Sequence, residues 1–155
     1  MEYNKLSNEI IAKLQALVGV QNVVTDAGQM EIYAHDEVTD PAYHHMPEAV
    51  VFAENAQQVA AVVKLANDYH FPVVPRGAGT GLACGAVPIY GGVVLSLEKM
   101  NKIIEVNADA MDAVVEPGVR TSDLQTAAAA KGAFYAGDPC SGDSCFIGGN
   151  VATNA

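Results

Sequence analysis

Basic residues are scarce in this chain: eight Lys and Arg stand against eighteen Asp and Glu, a formal charge of −10 over 155 residues. No basic stripe breaks that balance, so a polyanion such as nucleic acid would be repelled rather than bound. Long apolar runs are missing too. None approaches the ~20 residues needed to span a bilayer. The opening MEYNKLSNEI has neither the basic region nor the apolar core of a secretory signal, and a cytoplasmic location is the expectation. Cysteines number only three, an odd count without an export signal, which argues for reduced thiols over a disulfide framework. No internal repeat is visible at any period. What remains is half hydrophobic and 17% charged, the texture of one globular domain or of two small lobes sharing an interface.

Ser7 is placed to cap a first helix in which Ile10, Ile11, Leu14, Leu17 and Val18 recur at helical spacing before Gly19 stops it. Residues 23–47 are irregular and polar, read as a short helix followed by loop. A strand at residues 49–53 leads to Asn55, which opens a helix with Val59, Val62, Val63, Ala66 and Tyr69 on one face and Gln58 placed as in a capping box. Val73 and Val74 form the next strand, and the strand, helix, strand order implies parallel pairing. Residues 93–97, 103–106 and 113–115 are short β-prone runs. Residues 121–131 read as a helix with Leu124, Ala127 and Ala128 on one face and Gly132 at its end. The expected fold class is α+β in two lobes: residues 1–90 as an α/β lobe carrying a loop at 75–82, and residues 91–155 as the first part of a second, mainly antiparallel lobe. Residues 137–155 are rich in Gly, Ser, Asp, Asn and Ala, and the chain stops among them.

The most informative stretch follows Val74: Pro75, Arg76, Gly77, Ala78, Gly79, Thr80, Gly81 and Leu82. Three glycines at alternate positions allow successive backbone N–H groups to converge on one anionic oxygen, with Thr80 as a hydroxyl donor and Arg76 as a cation. The same spacing also suits a plain tight turn. A Walker loop would end in Gly-Lys-Ser/Thr, and this one continues Gly-Leu-Ala; a Rossmann loop would carry its last glycine where Leu82 stands.

PRGAGTGL, then GGVVLSLEKMNKIIEVN, VVEPGV and GDPCSGDSCFIGGNVATNA, together resemble the FAD-binding domain of the vanillyl-alcohol oxidase superfamily, nearest the group of glycolate oxidase D subunits, D-lactate dehydrogenases and D-2-hydroxyglutarate dehydrogenases. The likeness runs from about Tyr33 onward. It implies an FAD held between two lobes, its pyrophosphate on the 75–82 loop. The late segment would then line the flavin through Asp138, Pro139, Ser141, Gly142, Ser144, Cys145, Gly148, Gly149, Asn150 and Thr153, and the Gly118 turn is a further candidate. The partner implied for the full-length enzyme is a small 2-hydroxy acid, handled by arginine and histidine residues of a C-terminal cap domain, so no catalytic residue is assigned in this chain. By itself the chain is expected to fold, to hold FAD poorly and to self-associate. The competing readings are another enzyme of the same flavin fold, such as an aldonolactone oxidase or a cell-wall precursor reductase, and a truncated noncatalytic module that binds a nucleotide or a partner.

Other residues invite chemistry. Cys140 and Cys145, five apart, match no compact zinc spacing, and no metal is expected. Cys145 takes the place of a small residue beside the flavin in the resembling enzymes, and Cys84 reads as a small packing residue. His44 and His45 read as surface loop, and His35, Asp36 and Glu37 as structural. His70 is read as a charge suited to the end of its helix.

Overall fold

The computed structural model describes residues 2–155. Helix α1 (Asn8–Val18) starts where the Ser7 hydroxyl accepts a hydrogen bond from the Ile10 N–H, and it buries Ile10, Leu14 and Val18, spaced four apart. Leu17 falls off that stripe and is exposed. Strand β1 (Val23–Val24) follows, in a stretch where no strand was expected; helix α2 (Ala27–Met30) is capped by Asp26. Strand β2 (Ala49–Phe52) precedes helix α3 (Ala56–Tyr69), whose Asn55 cap accepts from the Gln58 N–H at 3.0 Å. The Gln58 side chain reaches back to the Glu54 N–H, one residue before the cap, so the capping box is shifted by one place. Val62 and Ala66 are buried, whereas Val63 lies on the solvent side, contrary to the expected face.

Strand β3 (Val73–Arg76) runs parallel to β2 but does not pair with it. Strand β4 (Val93–Ser96) lies between them, parallel to both, giving the order β1-β2-β4-β3 with β1 antiparallel at the edge. The expected boundary at residues 90/91 would therefore cut the fully buried central strand from its neighbours. A run such as Val93-Val94-Leu95-Ser96 announces a strand but not its partners, and parallel insertion depends on distant pairing.

Alternate residues face opposite sides of this sheet. Ala49, Val51, Val93 and Leu95 join α1 and α3 in one core cluster, and Val50 and Val94 join Met30 and Tyr33 in another on the opposite face. The parallel strands end level, Phe52 and Arg76 both aligned with Ser96. Chain leaving that end enters the crevice where open parallel sheets bind ligands.

Strands β5 (Ile103–Asn107) and β6 (Asp112–Val115) form an antiparallel hairpin with a bulge near Ile103. Helix α4 (Thr121–Ala129) packs on it through Leu124, along with Val119 and Ile147. The small-residue tail contains an unexpected element, helix α5 (Ile147–Thr153), introduced by a bridge between Phe146 and Arg120. Glycine is a poor helix former, but at Gly148 a Cβ would meet the Pro117 Cβ at 2.6 Å, and the Gly148 N–H donates to the Pro117 carbonyl.

Candidate functional site

The glycine loop leaves the C-terminal end of β3. Gly79 has φ +78°, a left-handed conformation that glycine adopts without penalty. Among the described residues, no backbone N–H of residues 77–82 donates to an acceptor in the chain. A run of unpaired donors on a half-buried loop at a parallel-strand end fits an anionic oxygen ligand.

Arg76 is placed differently from the expectation that it reaches over a phosphate. It is only 7% exposed, its Nη1 donates to the His35 carbonyl at 2.7 Å, its Nη2 donates to the Ile32 carbonyl at 2.8 Å, and the guanidinium lies 5.4 Å from the Tyr33 ring centroid. Two of its five N–H donors are thus committed to backbone. Desolvation by burial pulls its pKa below the ordinary arginine value against the opposing pull of Tyr33, Asp36, Glu37 and Glu98, and it stays cationic at neutral pH. The charge lies beneath Gly79, where an added Cβ would run into the guanidinium.

Loop and late segment meet around a cavity of about 370 Å³. Arg76, Gly77, Ala78 and Thr80 line one side and Asp143, Ser144 and Phe146 another, with Ile32, Tyr33, Glu98 and Arg120 completing the wall. The Ser141 hydroxyl donates to the Thr80 hydroxyl at 3.4 Å, and a Cβ on Gly77 would lie 3.8 Å from both the Phe146 side chain and the Gly149 nitrogen. These contacts bring two segments more than sixty residues apart to one place. Burial, with Glu98 alongside, raises the pKa of Tyr33.

The remaining candidates fall into other settings. Cys145 is 3% exposed with its Sγ 3.2 Å from the Thr121 hydroxyl, which accepts from Asn150 Nδ2 at 2.8 Å, so Asn150 ties α5, and Cys145 the segment before it, to the start of α4. Gly142 closes a turn on Pro139 and accepts from the Ser122 N–H. Thr153 donates to the Gly149 carbonyl on the exposed side of α5, and Asp138, Pro75 and Leu82 are exposed. At Gly118 a Cβ would collide with the Leu97 and Met100 carbonyls, which explains the glycine by close backbone approach and without a ligand. Sequence reasoning did not single out Ile32, Tyr33, Glu98, Arg120, Asp143 or Phe146. Arg120 and Phe146 carried a faint signal, one a rare cation and the other a bulky ring among small residues.

Asp36 is 5% exposed and accepts from the Val38 and Cys84 N–H groups, in line with the structural reading of that stretch. His70 adopts the left-handed conformation that closes α3, its N–H donating to the Ala66 carbonyl. Desolvation raises the Cys84 thiol pKa, with the Asp36 and Asp40 charges acting in the same direction, which leaves the thiol protonated at neutral pH and a poor nucleophile.

The profile of an FAD binding domain matches residues 47–155. The glycolate oxidase subunit GlcD of Bacillus subtilis (strain 168) is 37% identical over 131 residues, covering 84% of this chain and 27% of that protein. The D-lactate dehydrogenase of Anaerostipes hadrus is 41% identical over 155 residues, covering 99% of this chain and 32% of that one. Among solved structures, an alkyldihydroxyacetonephosphate synthase superposes with a TM-score of 0.86 over 98% of this chain and 30% of its own length; at 20% identity the likeness is one of fold. The chain thus spans about a third or less of the relatives that it matches.

Proposed function

The chain belongs to the FAD binding domain family, and from that premise we propose that it is the cofactor-holding portion of a flavin-dependent 2-hydroxy-acid dehydrogenase or oxidase, with the pyrophosphate of FAD seated on residues 76–82. The observation that carries the reading is the run of unpartnered backbone donors at residues 77–82, of which Gly77, Ala78 and Thr80 line a cavity whose wall includes Arg76 and Arg120. The Thr80 hydroxyl adds a donor, and Ser144 and Phe146 offer a small polar and a flat apolar surface for the rest of the cofactor. When bound, FAD supplies the hydride acceptor for oxidation of the substrate alcohol. The chain's own residues contribute grip and electrostatic balance: two cations offset Glu98 and Asp143 around the cavity.

The names of the relatives, one for glycolate and one for D-lactate, support a small 2-hydroxy acid as the substrate class of the whole enzyme. Three free thiols accord with a reducing compartment, and the cytoplasm is the proposed setting. Among the described residues no helix is long and apolar enough to cross a membrane. Self-association is part of the proposal, supported by Phe134 at 82% and Met111 at 74% exposure beside the β5–β6 hairpin.

Titration with FAD, followed by quenching of flavin fluorescence, tests the reading. Wild-type chain is expected to bind weakly but saturably and Gly79→Val to lose that binding, because a branched side chain at this left-handed position would drive into the Arg76 guanidinium and distort the loop on which the phosphate sits. Equal affinity of the two proteins would remove the loop from the site.

A further inference from the structure

The family match starts at residue 47, yet the elements that fix the glycine loop lie before it. On the entry side, the Arg76 guanidinium is held by the carbonyls of Ile32 and His35. On the exit side, Asp36 Oδ2 accepts from the Cys84 N–H at 2.8 Å, and the Glu37 N–H donates to the Gly81 carbonyl at 3.1 Å. One short segment, residues 32–37, therefore grips the loop at both ends.

The chemistry of the grip is specific. Asp36 is a buried carboxylate whose hydrogen bonds come from main-chain N–H groups: Oδ1 closes a local turn onto Val38, and Oδ2 reaches 48 residues along the chain. A buried charge is tolerable only when its lone pairs are satisfied, so a donor at Cys84 must stay where the carboxylate requires it. Cys84 itself has φ +56°, an uncommon conformation for a non-glycine residue and one that needs an external hold. Between the two anchors the loop makes no backbone hydrogen bond through its N–H groups. Without the anchors, these donors would have nothing in the chain to aim them.

We infer that Asp36 and Arg76 are positioning residues of the cofactor loop: residues 32–37 clamp its two ends, so that the N–H groups of residues 77–82 are oriented before a phosphate arrives. The inference rests on the proposed seat of FAD. Its functional content is preorganisation, a gain in affinity obtained by ordering the loop in advance.

Asp36→Asn isolates the clamp. Whichever way the amide turns, only one oxygen remains to accept, so the Val38 or the Cys84 N–H loses its partner while side-chain size is kept. FAD titration of the variant is expected to give a dissociation constant raised about tenfold. Amide hydrogen exchange on the ligand-free protein should accelerate at residues 81–84 and leave the β2 and β4 amides at wild-type rates. Asp40→Asn, which alters an exposed cap on the Ala42 N–H in the same stretch, should change neither readout. Should Asp36→Asn fail to fold, Arg76→Lys tests the other anchor, since one ammonium cannot reproduce the planar fork to two carbonyls; it too should weaken FAD binding about tenfold. Two results would overturn the clamp: FAD affinity unchanged in both variants while Gly79→Val abolishes it, or exchange accelerated equally in loop and core, which is general destabilisation. If Gly79→Val also binds FAD normally, the seat of FAD is wrong and the clamp falls with it.

Discussion

Gly79 allows the bracing of the loop to be measured as a difference between two glycines. At φ +78° an alanine is strained by roughly 1–2 kcal/mol. Its Cβ would also overlap the Arg76 Nη2 and approach Cζ at 2.6 Å and Nε at 3.0 Å, so the guanidinium must move. That group donates to two carbonyls at 2.7 and 2.8 Å, and a hydrogen bond to a charged group contributes about 1.5–3 kcal/mol. If Arg76 slides and keeps one partner, Gly79→Ala should cost roughly 2.5–5 kcal/mol in all. Gly132 supplies the control, since its φ is +76° and an added Cβ would have nothing within 4 Å. Gly132→Ala should therefore show the backbone strain alone, roughly 1–2 kcal/mol. Gly85→Ala, with open space and no positive φ, should be near neutral. Urea unfolding of the four proteins, compared at constant m-value, gives the differences. If Gly79→Ala proves no worse than Gly132→Ala, Arg76 yields freely, and the view of it as a fixed strut under the loop is refuted.

Two further outcomes follow from other sites. Glu48 accepts from the Leu6 and Gly92 N–H groups and from Lys5; burial pushes its pKa up, but the three donors outweigh that and hold it below the ordinary value. Its contribution should be fully present above about pH 4.3, the unfolded value, and be lost as pH falls through the depressed folded value. The stability gap between wild type and Glu48→Gln should accordingly shrink on acidification, and a gap that stays constant or widens in acid contradicts the assignment. For the cysteines, Cys140 is exposed and Cys145 buried against Thr121. The double variant Cys140→Ser, Cys145→Ala should fold with a loss of roughly 1 kcal/mol, and elemental analysis of wild type should find no stoichiometric zinc or iron, one bound equivalent being the contrary result.

The features legible in the sequence were those decided locally. The Ser7 and Asn55 caps, the helices they open, and the glycine spacing after β3 all depend on neighbours within a few residues, and each stands where it was expected. The features that were not legible were decided by distant partners. Residues 93–96 read as a strand, but their place between β2 and β3 is set by hydrogen bonding to residues 49–52 and 73–76. Helix α5 forms despite Gly148 and Gly149 because Pro117 and Thr121 supply packing and polar anchorage that intrinsic propensity does not register. Arg76 was noticed for its charge and not for its burial, since Ile32 and His35, which hold it, lie about forty residues earlier. Tyr33 went unnoticed because a lone aromatic in an irregular segment has no periodic context.

On the proposed reading, a chain with a formal charge of −10 must hold a doubly anionic pyrophosphate, and the cavity lining suggests how that conflict would be met. The two arginines at the cavity wall are matched there by Glu98 and Asp143, so side chains leave little net positive charge to draw in anions from a distance. Attraction is left to the N–H dipoles of residues 77–82, which act over a hydrogen-bond length and only in the right direction. Such a site would discriminate by fit more than by charge: a polyanion approaching the surface meets repulsion, whereas a phosphate that reaches the loop meets several unpartnered donors. On that reading loop geometry is the quantity that affinity depends on most, which gives a role to the two buried side chains, Asp36 and Arg76, that hold backbone in place.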